Sequence, residues 1–464
     1  MKLKLHTISP VHIGSGKHLE PFEYIIDGDT YYRLDPNKSF MLALETHPDF
    51  PDKYSSWLER TSQNLREANN KEQSSIRKKF NFKYFCENVL GDAELSQRIL
   101  KEGYAYKYEM PYGLAGKKQV SEQLKDANNN VYIPGSSIKG ALKTIFAWRA
   151  FNVMPDEEKK KVLTNIVNSK AFRSFRGRDI DELLIQELFI CGKKVIDKKS
   201  QKEKVYYSDI KFDIFKFIKV SDAEPIDVKM AVFPSNLYLI DKAPQEQAPA
   251  VEAIDFNSVF EFTIDINEEE IRNIYEISME NNAKSWIGFD KKFKRLFGFY
   301  PHEVANGELE EKIVDAIKNT VADFFAALLK REKTWLGNFK DTVLDQKKKP
   351  TKNANIESIE EFFDIYKEIP TMFKLGWASG FIATTIFDVL ESNEATKPYL
   401  EKIFKQFKIG VPPQKKKDPN VSLPSLSNFP KSRRLVAERT KLPVDPLGWV
   451  ALLGEEEELL FAEE

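Results

Sequence analysis

Residues 2–8 alternate Lys2, Leu3, Lys4, Leu5, His6, Thr7, Ile8, the period of a strand with one wet and one buried face. Two apolar runs, 22–26 and 31–34, flank Asp27-Gly28-Asp29 and predict a hairpin. Asp35-Pro36 then places a capping carboxylate and a proline suited to the first helical position before Phe40-Met41-Leu42-Ala43-Leu44, so a helix is expected next. From about residue 52 to residue 101 the chain turns polar and lysine-rich, with Arg77-Lys78-Lys79-Phe80 and Phe82-Lys83-Tyr84-Phe85 among its aromatics. This stretch reads as a helical insertion. Strand patterns return at 226–233, 237–240 and 259–266, and helical spacing marks 268–279, 311–330, 357–366 and 381–389. Residues 241–250 have the chemistry of a linker or of a finger projecting from a hairpin. Residues 411–430, rich in Pro, Lys and Ser, carry too little apolar surface to bury themselves and are expected to form a loop that a partner orders.

Composition narrows the class. The chain has 464 residues, beyond the roughly 250–300 that one hydrophobic core usually serves, so two domains are expected. Charged residues make up 30% of the chain, yet the formal net charge is -1; a nucleic-acid surface would have to come from segregation of charge. The two cysteines, Cys86 and Cys191, lie far apart and have no neighbouring His or Cys at ligand spacing, which argues against a disulfide framework and a structural zinc site. No signal-peptide core or bilayer-length apolar run is visible, so the expectation is a soluble cytoplasmic protein without cofactor or metal.

Several local patterns carry candidate chemistry. Val131-Tyr132-Ile133-Pro134-Gly135-Ser136-Ser137-Ile138-Lys139-Gly140 reads as a strand, a turn, two candidate N-caps and a helix bearing Lys139 and Lys143. Backbone amides and ammonium groups would converge there on an anion. A nucleotide P-loop is excluded, because Ala141 follows Gly140 where the motif needs Lys; at Gly14-Ser15-Gly16-Lys17, Ser9 stands where the motif's first glycine belongs. Gly376 and Gly380 bracket Trp377-Ala378-Ser379, either a loop whose amides approach phosphate beside a stacking face or a plain helix C-cap with Trp377 in the core. Arg173, Arg176 and Arg178 alternate with Phe172 and Phe175, a mixture of phosphate-neutralising charge and ring faces that equally fits a solvated loop. Lys431, Arg433, Arg434, Arg439 and Lys441 form a denser basic cluster, whereas the six glutamates of residues 455–464 would repel a phosphate backbone.

Taken together, the Pro134–Lys143 and Phe373–Phe381 motifs resemble the RAMP superfamily of CRISPR effector proteins. The resemblance extends to His12-Ile13-Gly14-Ser15-Gly16, to Lys219-Val220-Ser221-Asp222-Ala223, and to Asn428-Phe429-Pro430-Lys431-Ser432-Arg433-Arg434-Leu435 followed by Pro446-Leu447-Gly448-Trp449-Val450. These last two are similar to the type III-A (Csm) family member that caps the 3′ end of the CRISPR RNA (crRNA). The resemblance implies an α+β fold of two tandem ferredoxin-like (RRM-like) modules with helical insertions. The opening strand, hairpin and helix begin such a unit. The implied modules are residues 1–240, with the insertion at about 52–101, and 241–464, with the glycine-rich loop 375–381 and the basic C-terminal motif. Implied RNA contacts are Gly14, Ser15, Gly16, Ser136, Ser137, Lys139, Lys143, Arg173, Arg176, Arg178, Gly376, Ser379, Gly380, Lys431, Arg433 and Arg434. Implied partners are crRNA, target RNA in the assembled complex, neighbouring Csm backbone subunits and host trimming nucleases, with no membrane.

No catalytic residue is expected. The main alternative makes the chain a metal-independent CRISPR-transcript endoribonuclease using His6, His12 or His18, since related RAMP proteins use a histidine in this region as general acid or base; no equally clear lysine and tyrosine partners stand out. Glu45, Asp49 and Asp52 lie in a context unlike the target-cutting aspartate loop of the backbone subunits. The remaining alternative is a protein-interaction subunit that recruits trimming nucleases without touching RNA.

Overall fold

The structure is a computed structural model. It describes all residues except 112–118, 174–176, 197–202, 240–241, 246–249, 346–355, 419, 438–442 and 460–464. The alternating first segment forms the strand Lys2–Thr7. It lies between Val259–Ile266 and Trp449–Gly454, antiparallel to both, with Leu5 opposite Phe260 on one side and Leu452 on the other. Glu224–Asp227 and Ile218–Val220 extend the sheet beyond Val259–Ile266, and Met372–Lys374 closes it beyond Trp449–Gly454. The helix Gly135–Asn152 buries Ile138, Leu142, Ile145 and Phe146 in the same core as Leu3, Leu5, Phe260 and Phe262. The long helix Leu309–Asp345 adds Ile313, Ile317, Val321 and Phe324 to that core.

A second sheet runs Gly14–Leu19, Val120–Gln123, Ala250–Ile254, Met230–Phe233, Tyr104–Glu109, Thr30–Leu34 and Tyr24–Asp27. The predicted hairpin is there, with Asp27 paired to Thr30 and Gly28 at φ +59°. Asp35 caps Pro36–Thr46 by accepting from the amides of Asn37 and Lys38. The insertion is helical, as its composition predicts. Helices Phe50–Glu67 and Ala93–Glu102, with the helical turns 82–90 between them, share with the hairpin's Ile25 and Leu34 an aromatic-rich core of their own that holds Phe50, Tyr54, Phe82, Phe85 and Ile99. A third, four-stranded sheet runs Lys242–Gln245, Ser235–Leu239, Ser432–Ala437 and Pro443–Pro446. Helices and sheets thus build the α+β fold of tandem RRM-like modules. Strands from either side of residue 240 share each of these three sheets, while the two-stranded sheet of Lys193–Ile196 and Glu203–Tyr206 lies wholly before it, so modules divided there interlock.

Three expectations change. The 226–233 run is two strands in different sheets, Glu224–Asp227 and Met230–Phe233, because the chain crosses between sheets at Val228-Lys229. Residues 242–245, within the stretch read as linker or finger, pair with Ser235–Leu239 as a strand, while 241 and 246–249 lie outside the described residues. The 411–430 segment is held within this chain. Phe429 packs against Phe381, Phe387 and Phe404 at ring-centroid distances of 5.0, 5.8 and 5.0 Å, so a single aromatic anchors a stretch otherwise poor in apolar residues.

At the start of Gly135–Asn152, a side chain on Gly135 would lie 2.5 Å from the carbonyl oxygen of Ser221 and against that of Val220, whereas a side chain on Gly140 would meet open space. Gly135→Ala is therefore expected to lower unfolding free energy by about 1–3 kcal/mol through overpacking. Gly140→Ala should raise it by about 0.5–1 kcal/mol through helix propensity. Urea denaturation of both variants checks the pair; equal shifts would contradict the close approach.

Candidate nucleic-acid interface

Three separated stretches meet around the loop that carries Pro10 and His12. Gly376 adopts φ +83°, and a side chain on it would overlap the His12 carbonyl, so glycine is required here both for backbone angle and for contact. The Trp377 amide donates to that same carbonyl at 2.8 Å, and the His12 and Trp377 rings meet edge to face at 5.9 Å. The Ser379 hydroxyl donates to the Gly376 carbonyl at 2.7 Å and closes the loop on itself. From the C-terminus, the Gly448 amide donates to Pro10 O at 2.9 Å and its carbonyl accepts from Leu375 at 2.8 Å. On the outer side, Arg434 stacks its guanidinium 4.1 Å over the Trp377 ring, a planar cation on a π-face. Trp377 remains 40% exposed.

Beside this loop lies a cavity of about 640 Å³. Lys374, Lys431, Arg433 and Arg434 line it, with Glu332 as the carboxylate among its lining residues. Arg433 lies on the inner side, 9% exposed. Its Nε donates to Glu332 at 2.6 Å, its Nη1 donates to the carbonyls of Pro430 and Ser432, and its guanidinium lies 5.0 Å from the Trp335 ring. Burial works to raise the Glu332 carboxyl, but the charges of Arg433 and Lys374 prevail and hold it below its ordinary value. Burial lowers the Lys374 ammonium, against the pull of Glu332. Arg433 thus has its Nε and Nη1 engaged inside the protein, and Arg434 is the outward guanidinium of the pair.

The helix start at 134–143 is also rearranged. Pro134, not a serine, is the N-cap of Gly135–Asn152; Ser136 is exposed and Ser137 half-buried within the first turn. The Gly135 amide donates to the Asp222 carboxylate at 2.7 Å. Lys139 donates to Ile218 O at 2.6 Å, and Lys143 pairs with Asp213 at 2.5 Å. Both lysines therefore face the protein's own acceptors, because the segment around 213–222 packs against this helix. Gly14, Ser15 and Gly16 begin an edge strand; Gly14 and Gly16 are exposed, and the Ser15 hydroxyl donates to Glu122 at 2.9 Å. Arg173 ends the short helix Lys170–Arg173 and Arg178 sits in the first turn of Gly177–Phe189, while Arg176, Arg439 and Lys441 lie outside the described residues. Lys431 lines the cavity, and its carbonyl accepts from Trp335 Nε1 at 3.2 Å. The structure thus gathers Gly376, Ser379, Gly380, Lys431 and Arg434 at one surface. Sequence reading missed Lys374 and Glu332. Lys374 stood inside the quoted loop motif, but Glu332 had no local signal, since its partner is 101 residues away.

The three N-terminal histidines have separate partners: His6 with Asn257 Oδ1 at 2.6 Å, His12 with Glu252 O at 2.6 Å, and His18 with the Ser121 hydroxyl at 3.1 Å. A lysine and a tyrosine do lie near His12, but Lys125 and Tyr106 both bond the fully buried Glu252 carboxylate. Among the carboxylates considered in the first helical zone, Glu45 pairs with Arg98 and Asp49 with Lys53. No group of three metal-ligating side chains occurs among the described residues, and no helix among them is long and apolar enough to cross a membrane.

The fold and this surface define a class, α+β proteins of RRM-like modules in which a glycine loop, a stacked arginine and the chain's first loop share one face. The chain belongs to the RAMP superfamily, whose family model matches residues 4–349. It is 29% identical over 231 residues, half of its length, to a Streptococcus thermophilus protein named CRISPR system Cms protein Csm5, and that match spans 53% of the relative's own length. It is 22% identical over 97% of its length to the protein of the same name from Methanocaldococcus jannaschii, covering 88% of that protein. Among solved structures it resembles a chain of a Csm–crRNA–target RNA ternary complex (TM-score 0.59, 21% identity, 97% of this chain and 100% of that one). It also resembles the crystal structure of T. onnurineus Csm5 (TM-score 0.54, 20% identity, 97% and 99%).

Burial lowers the imidazoles of His6 and His12 below their ordinary value, with the Asn257 and Glu252 hydrogen bonds opposing it. As pH falls through about 6.5, the unfolded chain takes up these protons before the folded chain does. Stability is thus present above that pH and is expected to decline as the pH falls below it. A His6→Gln, His12→Asn variant should show a shallower decline in urea midpoints; parallel curves would mean that neither imidazole is linked to folding.

Proposed function

We propose that this chain is a crRNA-binding structural subunit of a type III-A CRISPR interference complex, capping the 3′ side of the crRNA and supporting its maturation in antiviral defence. The observation that carries the reading is the meeting of the His12 loop, the 376–380 loop, Gly448 and Arg434 on one face in a RAMP-superfamily chain. The mode of action is scaffolding. Backbone amides and Arg434 would hold phosphate and sugar, and Trp377 would offer a stacking face, so that Watson–Crick edges stay free for target pairing. Exposed Gly14, Gly16 and Ser136 are retained as further contacts, and Lys139, Lys143 and Arg433 act as supports behind the surface. Two modules, 1–240 and 241–464, would form the cap, working in the cytoplasm beside neighbouring Csm backbone subunits and target RNA, with host trimming nucleases recruited after assembly. The separate partners of His6, His12 and His18 favour a non-catalytic role over the endoribonuclease alternative.

Arg434→Ala is expected to weaken binding of unrelated single-stranded RNAs by a similar factor and to reduce the slope of log affinity against log salt by about 0.7, the contribution of one phosphate. Filter binding at several salt concentrations checks this, and a sequence-selective loss would count against it. A labelled repeat-spacer transcript incubated with the protein in EDTA should be shifted intact on native gels; cleavage abolished in a His6, His12, His18→Ala triple variant would establish the endoribonuclease instead.

A further inference from the structure

We propose that the cavity between the 376–382 loop and the 424–434 segment binds a phosphomonoester dianion, with Lys374 as the cation at its floor. Lys374 is 6% exposed and lines the cavity, and its ammonium makes no hydrogen bond or ion pair among the described residues. The face of Trp449, 5.0 Å away, is its neighbour on the protein side. Glu332 is the carboxylate at this floor, and Arg433 already engages it. Two buried cations therefore share one buried anion. A buried charge left uncompensated is costly, so a second anion arriving from solvent would be held strongly.

The rest of the lining specifies the class of that anion. Arg434 also lines the cavity, and with Arg433 engaged by Glu332 it is Lys374 and Arg434 that remain to face an incoming anion, two charges that a dianion balances and a singly charged carboxylate does not. Phe381 and Phe429 supply apolar wall. About 640 Å³ exceeds what bare phosphate fills, and Trp377 under Arg434 gives a flat face near the entrance. The arrangement fits a phosphate carried on a larger planar group, as at the end of a ribonucleotide chain. A terminal phosphomonoester carries a second negative charge that an internal phosphodiester lacks. The ribonucleotide as source rests on the function proposed above; the anion site does not.

The test is titration of the full-length protein with inorganic phosphate at constant ionic strength, followed calorimetrically. Saturable single-site binding is expected, weakened about tenfold or more in Lys374→Met, where a charged donor is lost. Circular dichroism verifies that the variant folds; if it does not, Arg434→Gln at the mouth replaces it and should likewise weaken binding. Absence of saturable phosphate binding, or undiminished binding by the folded variant, overturns the site. A short RNA ending in a 3′-phosphate should then displace phosphate, and the same RNA ending in a 3′-hydroxyl should do so far less well. Equal displacement by both overturns the terminal assignment. Displacement by neither, with phosphate still bound and RNA binding scored separately by gel shift, supports the anion site and removes RNA as its source.

Discussion

The insertion of the first strand between two partners from distant parts of the chain is the constraint on which the remaining geometry depends. Lys2–Thr7 pairs with Val259–Ile266 and with Trp449–Gly454 at once, so the N-terminus, the middle and the C-terminus are fixed in one sheet. Leu3 and Leu5 on its inner face are almost fully buried, and a slip of one residue would turn them to solvent in favour of Lys2 and Lys4. The loop that leaves this strand carries His12, and the strand beyond Trp449–Gly454 ends at Lys374, directly before the glycine loop. Once the register is set, the His12 carbonyl and the Trp377 amide have little freedom but to meet.

Two buried ionic clusters serve this frame differently. Around Glu252, one lysine, one tyrosine and the Gln123 amide satisfy a single carboxylate, a compensated arrangement that fixes the second sheet beneath the His12 loop. Around Glu332, the same logic is left incomplete, with two cations on one anion. Buried charge is retained at a cost that well-packed apolar residues would avoid. A complete cluster can be explained by geometry alone, whereas an incomplete one that opens into a cavity points toward solvent for its missing partner.

How much of this was legible in the sequence follows from the range of each interaction. Local signals read well: the period of Lys2–Thr7 and Val259–Ile266, the Asp27-Gly28-Asp29 turn and the Asp35-Pro36 cap are each settled within a few residues. The glycines at 376 and 380 were legible as loop or cap positions, because a positive φ excludes most other residues. The last strands were not foreseen, since Trp449–Gly454 is apolar throughout and its burial on both faces erases the alternation that marks a strand. The fate of the cations was the least legible. Lys139, Lys143 and Arg433 carry the residue types expected at a phosphate surface, yet the acceptors that claim them, Ile218 O, Asp213 and Glu332, lie 70 to 101 residues away.

That reassignment changes the character of the surface. With the inner cations committed, what faces outward at the glycine loop is a half-exposed indole, a guanidinium stacked on it and backbone held at positive φ. Such groups meet phosphate charge and ring faces, features that every nucleotide shares, and they lack the paired side-chain amides that distinguish one base edge from another. A chain with near-zero net charge can still present such a face where its charges are segregated along the surface. Local imbalance at a few fixed positions, more than any overall excess of lysine and arginine, then determines where an anion can settle.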